Sequence, residues 1–173
     1  MKKKISQSLI VISALMLVSV IVFAQEINYK IHSMFIYHFT RYIDWPESKK
    51  TGNFVIGIYG NSQIQSELEA MAATKKAGTQ TMNVRKISSV DEALECHIVF
   101  VCANKSSELD AITAATANKP ILLVTEKNGL AKKGAGINFI ISDDKLKFEI
   151  NKSSVESHSL KVSGDLVKLG IVI

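Results

Sequence analysis

Cysteine and proline are scarce in this chain, which contains two of each among its 173 residues. Two cysteines are too few for a scaffold held together by several disulfides. Cys96 and Cys102 bound the run CHIVFVC, which has the composition of a strand. Six residues of strand span about 20 Å, whereas the Cα atoms of a disulfide lie within about 7 Å of each other. We therefore predict two buried thiols and no disulfide.

The residue patterns of common catalytic and metal sites are also missing. None of the four histidines has a second ligand at metal-binding spacing, and the neighbours Cys96 and His97 would point to opposite faces of a strand. The glycines of Lys133–Gly136 lack the spacing of a phosphate or dinucleotide loop, and no serine lies in a Gly-x-Ser-x-Gly motif. We predict that the protein is not an enzyme and holds no metal or cofactor.

The N-terminus has the layout of a secretory signal peptide. A basic start, Met1–Lys4, precedes the apolar run Leu9–Ala24, and Val22 and Ala24 are small residues at the −3 and −1 positions of a cleavage site. An uncleaved membrane anchor is the alternative, but the run is short for a span and the cleavage site is good. We predict that residues 1–24 are a signal peptide and that residues 25–173 form the exported, periplasmic domain.

The basic charge of the chain comes mainly from this predicted signal peptide. Removing residues 1–24 removes three lysines and no acids, so Lys+Arg falls from 21 to 18 against 16 Asp+Glu and the net charge falls from +5 to +2. A net charge this small gives no reason to expect a nucleic-acid partner. The remaining residues suit one domain with a single core.

A buried helix and a series of short apolar runs follow. Apolar and aromatic residues recur at helical spacing from Ile27 to Trp45, which predicts a helix that stops at Trp45-Pro46, since proline cannot continue it. The face predicted to be buried comprises Ile31, Met34, Phe35, His38, Tyr42 and Trp45. The predicted strands are residues 54–60, 81–87, 96–102, 121–125, 137–141 and 146–150, with a loop at 75–80. The predicted later helices are residues 63–73, 89–94, from Ser106 or Ser107 to about 117, and a region after Asn151 that breaks near 161–164.

Three of these strands are continuous apolar runs separated by helices, which is the pattern of buried parallel strands joined by βαβ connections. Residues 137–141 and 146–150 flank a polar turn and predict an antiparallel hairpin. We therefore predict an α/β fold: a three-layer sandwich with a mostly parallel sheet, a C-terminal antiparallel hairpin at one edge, and an added N-terminal helix.

The order of these segments resembles the YfiR-like family of exported bacterial regulatory proteins. The matching segments are YIDWP (42–46), FVIGIYG (54–60), CHIVFV (96–101), ILLVT (121–125), Gly129, GINF (136–139), LKFEIN (146–151), LKVS (160–163) and LVKL (166–169). The resemblance implies a non-enzymatic periplasmic regulator that forms a homodimer. It also implies a partner, the periplasmic sensor domain of an inner-membrane signalling enzyme such as a diguanylate cyclase. Release of that enzyme would raise cyclic di-GMP and favour biofilm.

The chain departs from the family pattern at several positions. Many members carry a cysteine in the first strand that bridges to the cysteine of the Cys-His strand, and here that position is Gly57. A second cysteine pair of some members is replaced by residues near Leu130 and Ile137. Relatives often carry arginine before Trp-Pro, where this chain has Asp44. A disulfide of Cys96 and an anion site at Asp44 are therefore not expected here.

The candidate partner- or ligand-binding residues are Arg41, Asp44 and Trp45 at the predicted helix end, with Lys161 and Ser163 in the broken C-terminal segment. The alternative interpretation of Trp45 and Tyr42 is a purely structural one, in which both only pack against the sheet. A second hypothesis is a periplasmic small-ligand binding protein with its site at the C-terminal ends of the parallel strands, near Gly60, Cys102 and Thr125. A third, more distant hypothesis is a thiol enzyme that uses Cys102.

Overall fold

The computed structural model describes residues 28–173, so the predicted signal peptide lies outside the described residues. The helices are α1 (Tyr29–Tyr42), α2 (Ile64–Ala72), α3 (Val90–Ala93), α4 (Leu109–Thr116), α5 (Lys152–Ser157) and α6 (Gly164–Leu169). The strands are β1 (Ile43–Asp44), β2 (Phe54–Tyr59), β3 (Lys76–Ala77), β4 (Gln80–Ile87), β5 (Ile98–Val101), β6 (Leu122–Thr125), β7 (Ile137–Ser142), β8 (Lys145–Ile150), β9 (Lys161–Val162) and β10 (Ile171–Val172).

The main sheet confirms the predicted mostly parallel arrangement. Its strand order is β10-β8-β7-β6-β5-β2-β4-β3. In sheet order, the five strands β4, β2, β5, β6 and β7 are parallel to one another. Strands β7 and β8 form the predicted antiparallel hairpin. The short strand β10, which the sequence did not predict, pairs in parallel with β8 and lies outside the hairpin.

The two faces of the sheet are covered by different helices, which makes the three layers. Along β5, Ile98 and Phe100 belong to one core cluster, whereas Val99 and Val101 belong to the other. This alternation is what a strand buried on both faces requires, and it explains the continuous apolar runs of the sequence. The first cluster includes residues of α1, α2, α5 and α6, and the second includes residues of α3 and α4.

Helix α1 differs from the prediction in its end and in its buried face. It ends at Tyr42, and Ile43 and Asp44 are extended. Met34 is 55% exposed, Ile31 is 41% exposed and His38 is also exposed, although all three were predicted to be buried. The residues that α1 does bury are His32, Ser33, Ile36, Phe39 and Thr40. Because this helix is apolar on most sides, periodicity alone did not identify the face that contacts the sheet.

Two short strand pairings were not predicted from the sequence, one directly after α1 and one at the edge of the main sheet. Strand β1 pairs with β9 in an antiparallel two-stranded sheet. Residues 75–80 were predicted to be a loop, but Lys76 and Ala77 form β3, which pairs antiparallel with the start of β4. Strands of two residues carry no detectable periodicity, and the partner of β1 lies more than a hundred positions away in the sequence.

Side-chain caps mark the starts of α3, α5 and α6, whereas α1, α2 and α4 begin without one. The capping box predicted at Ser89 is present, with the Ser89 side chain accepting from the Glu92 N–H and the Glu92 carboxylate accepting from the Ser89 N–H. The helix predicted to begin after Ser106 or Ser107 begins only at Leu109, because residues 103–108 form a 3-10 turn. Within residues 28–173, no helix combines the length and the apolar character needed to cross a membrane.

His97 joins the start of β5 to β2 and to the segment before it. The His97 N–H donates to the Val55 carbonyl, and the Val55 N–H donates to His97 Nδ1 at 3.1 Å. His97 Nε2 donates to the Lys49 carbonyl at 2.8 Å. A carbonyl only accepts and an N–H only donates, so the ring is neutral with its proton on Nε2. Burial lowers the pKa of His97 and, for the same reason, that of His32.

We predict that His97→Ala lowers the free energy of unfolding by about 2–4 kcal/mol. The substitution leaves the Val55 N–H without a partner, removes one of the two side-chain hydrogen bonds to the Lys49 carbonyl (the other comes from Gln80) and opens a cavity. The unfolded chain takes up the imidazole proton near a pKa of about 6.5, above the lowered pKa of folded His97, so wild-type stability falls as the pH drops below about 6.5. Urea titrations at about pH 7.5 and about pH 5.5 measure both effects. The decrease in the free energy of unfolding between the two pH values should be smaller in the variant than in the wild type.

The control is His38→Ala, at an exposed position of α1, which should change the free energy of unfolding by less than about 0.5 kcal/mol. An unchanged pH dependence in His97→Ala would contradict the role assigned to the ring.

Candidate functional site

The β1–β9 pairing brings together candidate residues that lie more than a hundred positions apart in the sequence. Asp44 is opposite Lys161, and Ile43 is opposite Val162. The Ser163 N–H donates to the Tyr42 carbonyl at 2.9 Å, which gives one of the last carbonyls of α1 a partner. The end of the first helix and the break in the C-terminal segment therefore form one structural unit.

A cleft of about 380 Å³ opens beside this unit. Three of the five candidate residues, Arg41, Asp44 and Trp45, line it, whereas Lys161 and Ser163 do not. The opposite wall is the turn between β3 and β4. The lining residues are Thr40, Arg41, Ile43, Asp44, Trp45, Lys50, Phe54, Ala77, Gly78, Thr79 and Gln80.

Trp45 forms part of the floor of the cleft and is also a core residue. It is 6% exposed, and its ring contacts Phe54 edge-on at a centroid distance of 5.2 Å and His97 at 5.7 Å. Its Nε1 is buried and has no hydrogen-bond partner in residues 28–173. A buried indole N–H usually has a partner, so Trp45 combines a packing role with one unused donor.

The charged candidates around the cleft are exposed. Lys50 Nζ lies 2.7 Å from Glu47 and 3.8 Å from Asp44, and the hydrogen bond to Glu47 raises the pKa of Lys50. Exposed ion pairs of this kind contribute little to stability, so these side chains can exchange partners at low cost. Arg41 forms no ion pair within residues 28–173. Its guanidinium is therefore available to an acidic group.

Ser163 has a structural role. Its hydroxyl accepts a hydrogen bond from the Leu166 N–H at 3.2 Å and caps α6. Lys161 is exposed and lies beside Asp44 through the strand pairing. Of the five candidates, Arg41, Asp44 and Lys161 thus have exposed side chains, while Trp45 and Ser163 support the surface from below or beside it.

The two cysteines are free and buried. Burial, with a smaller effect of the Glu126 carboxylate, raises the pKa of Cys102 to about 12. A nucleophilic cysteine needs a thiolate and therefore a lowered pKa, so the environment of Cys102 is the opposite of an activating one. No group of three or more His, Cys, Asp or Glu side chains in the described part of the chain could hold a metal ion.

The three residues expected at a small-ligand site, Gly60, Cys102 and Thr125, do not line the cavity of about 150 Å³ found near the ends of the parallel strands. Cys102 and Thr125 are fully buried, and the Thr125 hydroxyl donates to the Asn138 amide oxygen at 2.7 Å. Gly60 has a φ of +115° and lies so close to Asn104 that a Cβ there would be 2.5 Å from the amide oxygen. The cavity is lined instead by His32, Glu126, Asn128, Phe139, Ile140, Ile141 and Leu146.

Glu126 is the titratable group in that cavity that sequence reasoning missed. One carboxylate oxygen accepts from the Ala103 N–H at 3.1 Å, and the other is buried with no partner in residues 28–173. Burial raises the pKa of Glu126. Its position directly after Thr125 at the end of β6 was the available sequence signal, since parallel strands place functional groups at this edge.

Gly57 leaves room for the thiol of Cys96. A Cβ built on Gly57 would lie 2.7 Å from Cys96 Sγ, with Ile87 as the next neighbour at 3.0 Å. In a disulfide the Cβ of one cysteine lies close to the sulfur of the other, with Cβ atoms about 3.8 Å apart. The position where the resemblance places a bridging cysteine is therefore beside Cys96.

We predict that Gly57→Cys forms a disulfide with Cys96 under oxidising conditions. The bridge closes a loop of about 40 residues, which stabilises the fold by about 3–4 kcal/mol minus any strain. Thiol titration in denaturant should then detect only Cys102, and reduction should lower the midpoint of unfolding. Gly57→Ser is the control of similar size, and its unfolding should not respond to reductant. Three titratable thiols after oxidation would contradict the prediction.

Comparison with known proteins agrees with the resemblance seen in the motifs. A sequence model of the family described as YfiR/HmsC-like matches residues 29–171, which is nearly all of the described chain. No curated protein matches the chain.

Proposed function

This chain belongs to the YfiR/HmsC-like family, and we propose that it is a periplasmic protein that binds and restrains an inner-membrane signalling enzyme such as a diguanylate cyclase. The observation that carries the proposal is the family match over residues 29–171. The family is one of regulatory proteins. The partner would be the periplasmic sensor domain of that enzyme, and release would raise cyclic di-GMP and favour biofilm.

The surface around Arg41 and Asp44 supports a binding role. These two side chains are exposed and line the cleft whose floor contains the buried Trp45, and the exposed Lys161 lies opposite Asp44 in β9. Binding energy at protein interfaces concentrates where buried aromatic and arginine side chains occur together. The backbone beneath is rigid, because β1 is fixed on one side by β9 and continues directly from α1.

Restraint of an enzyme requires that the chain bind its inactive state more tightly than its active state. A tenfold decrease in the ratio of active to inactive enzyme needs a difference in binding free energy of about 1.4 kcal/mol. One or two well-formed charge-assisted contacts supply that much. A regulator of this kind therefore needs no catalytic group, only a surface that discriminates between two states.

We predict that crosslinking of cell envelopes, followed by affinity purification of the tagged chain, recovers an inner-membrane signalling enzyme. Arg41→Ala with Lys161→Ala should weaken binding of that enzyme's periplasmic domain by about tenfold, because together these substitutions remove two exposed positive charges at and beside the cleft. Lys132→Ala with Lys133→Ala is the matched control, since both lysines are exposed on the turn that precedes β7.

Deleting the gene that encodes this chain should raise the cellular level of cyclic di-GMP. Expressing the wild-type chain in the deletion strain should return cyclic di-GMP to its original, lower level. Recovery of no inner-membrane signalling protein after crosslinking would contradict the proposed function.

The proposal includes a homodimer, supported by the C-terminal edge of the main sheet. Leu169 is 63% exposed and Val172 45% exposed, and β10 is the outermost strand on this side. An open apolar edge strand is a site for pairing with another chain.

Sedimentation should give a dimer for the wild type and a monomer for Leu169→Glu with Val172→Glu. Leu94→Glu, at an exposed position near α3, should stay dimeric; a monomeric wild type would contradict this part.

A further inference from the structure

We infer that the cleft lined by Arg41, Trp45 and Thr79 receives an extended acidic segment of the partner, added as a strand to the free edge of β1. The inference rests on the proposed function, because it names how the partner would be recognised at the same site. It commits to a peptide in strand conformation, and a small molecule or a second copy of the chain in this cleft would contradict it.

The free edge of β1 provides the hydrogen-bonding groups. Strand β1 pairs with β9 on one side only. Because Tyr42 accepts from Ser163, the alternation of an antiparallel pair makes Asp44 the next residue bonded to β9. The carbonyl of Ile43 and the N–H of Trp45 then point away from β9, and both residues line the cleft. Added strands use one acceptor and one donor of this kind.

The opposite wall is also the edge of a sheet. Strand β3 is the outermost strand of the main sheet, and its turn to β4 contributes Ala77, Gly78, Thr79 and Gln80 to the cleft. Gly78 has a φ of +61° and no atom lies within 4 Å of the position of a Cβ, so the turn is open toward solvent. The cleft volume of about 380 Å³ is at the low end for ligand sites, which suits a short stretch of chain.

Charge selects an acidic segment. The charged residues that line the cleft are Arg41, Lys50 and Asp44, which is one more cation than anion. Two further exposed lysines lie next to lining residues without lining the cleft themselves: Lys161 is opposite Asp44 in β9, and Lys76 precedes Ala77 in β3. Asp44 and Glu47 already neutralise Lys50, which leaves Arg41 as the cation free to pair with a carboxylate.

The test uses the purified chain and a phage-displayed library of random linear peptides as the probe. We expect the selected peptides to be enriched in Asp and Glu and to bind as synthetic peptides. Thr79→Trp, which fills the mouth of the cleft from an exposed turn position, should weaken binding by at least about tenfold, and so should Arg41→Glu. Thr74→Trp is the matched control, because Thr74 is exposed and does not line the cleft.

Hydrogen exchange at the Trp45 amide distinguishes strand addition from a general charge effect, because attraction between charges alone would not protect that N–H. In the peptide complex, exchange of the Trp45 amide should slow, because that N–H becomes bonded to the added strand. Failure to select any acidic peptide, equal binding to Thr79→Trp, or unchanged exchange at Trp45 would each overturn the inference. The proposed function is tested separately: an enzyme recovered by crosslinking whose binding Thr79→Trp leaves unchanged would support that function while overturning the strand-addition site.

Discussion

Aromatic contacts between α1 and the β7–β8 hairpin fix the helix on the sheet, and the candidate site depends on them. Phe39 is fully buried, and its ring centroid lies 5.9 Å from Phe139 and 5.3 Å from Phe148. Phe35 contacts the same two rings from the preceding turn. Burial of such rings contributes both apolar area and ring-pair energy. With the helix axis fixed in this way, its last residue, Tyr42, lies where the chain can pair with β9 and form one wall of the cleft.

The central strands could be predicted from the sequence because burial on both faces leaves an unbroken apolar run such as residues 121–125. The hairpin of β7 and β8 was equally predictable from its polar turn. The buried face of α1 was not, because Met34 is apolar and exposed while His32 is polar and buried. Burial of His32 is explained by its contact with Phe139 at 4.5 Å, a tertiary contact that local sequence does not specify.

At the candidate site, sequence reasoning could group Arg41, Asp44 and Trp45, which are neighbours along the chain. It also singled out the segment of Lys161. The placement of Lys161 opposite Asp44 depends on the antiparallel register of β1 and β9, which two-residue strands do not encode locally. The turn around Thr79 was predicted as part of a loop, so the second wall of the cleft was missed. The candidate surface is formed by three segments that only the tertiary fold brings together.

We propose that the partner contacts the surface formed by the end of α1, β9 and the β3–β4 turn. The most direct measurement is photo-crosslinking in living cells, with a photoreactive amino acid placed in turn at Arg41, Thr79 and Lys161, and at the exposed Lys152 as a reference. We expect adducts with one inner-membrane signalling protein from the first three positions and none from Lys152. Adducts from Lys152 alone, or from none of the four positions, would contradict it.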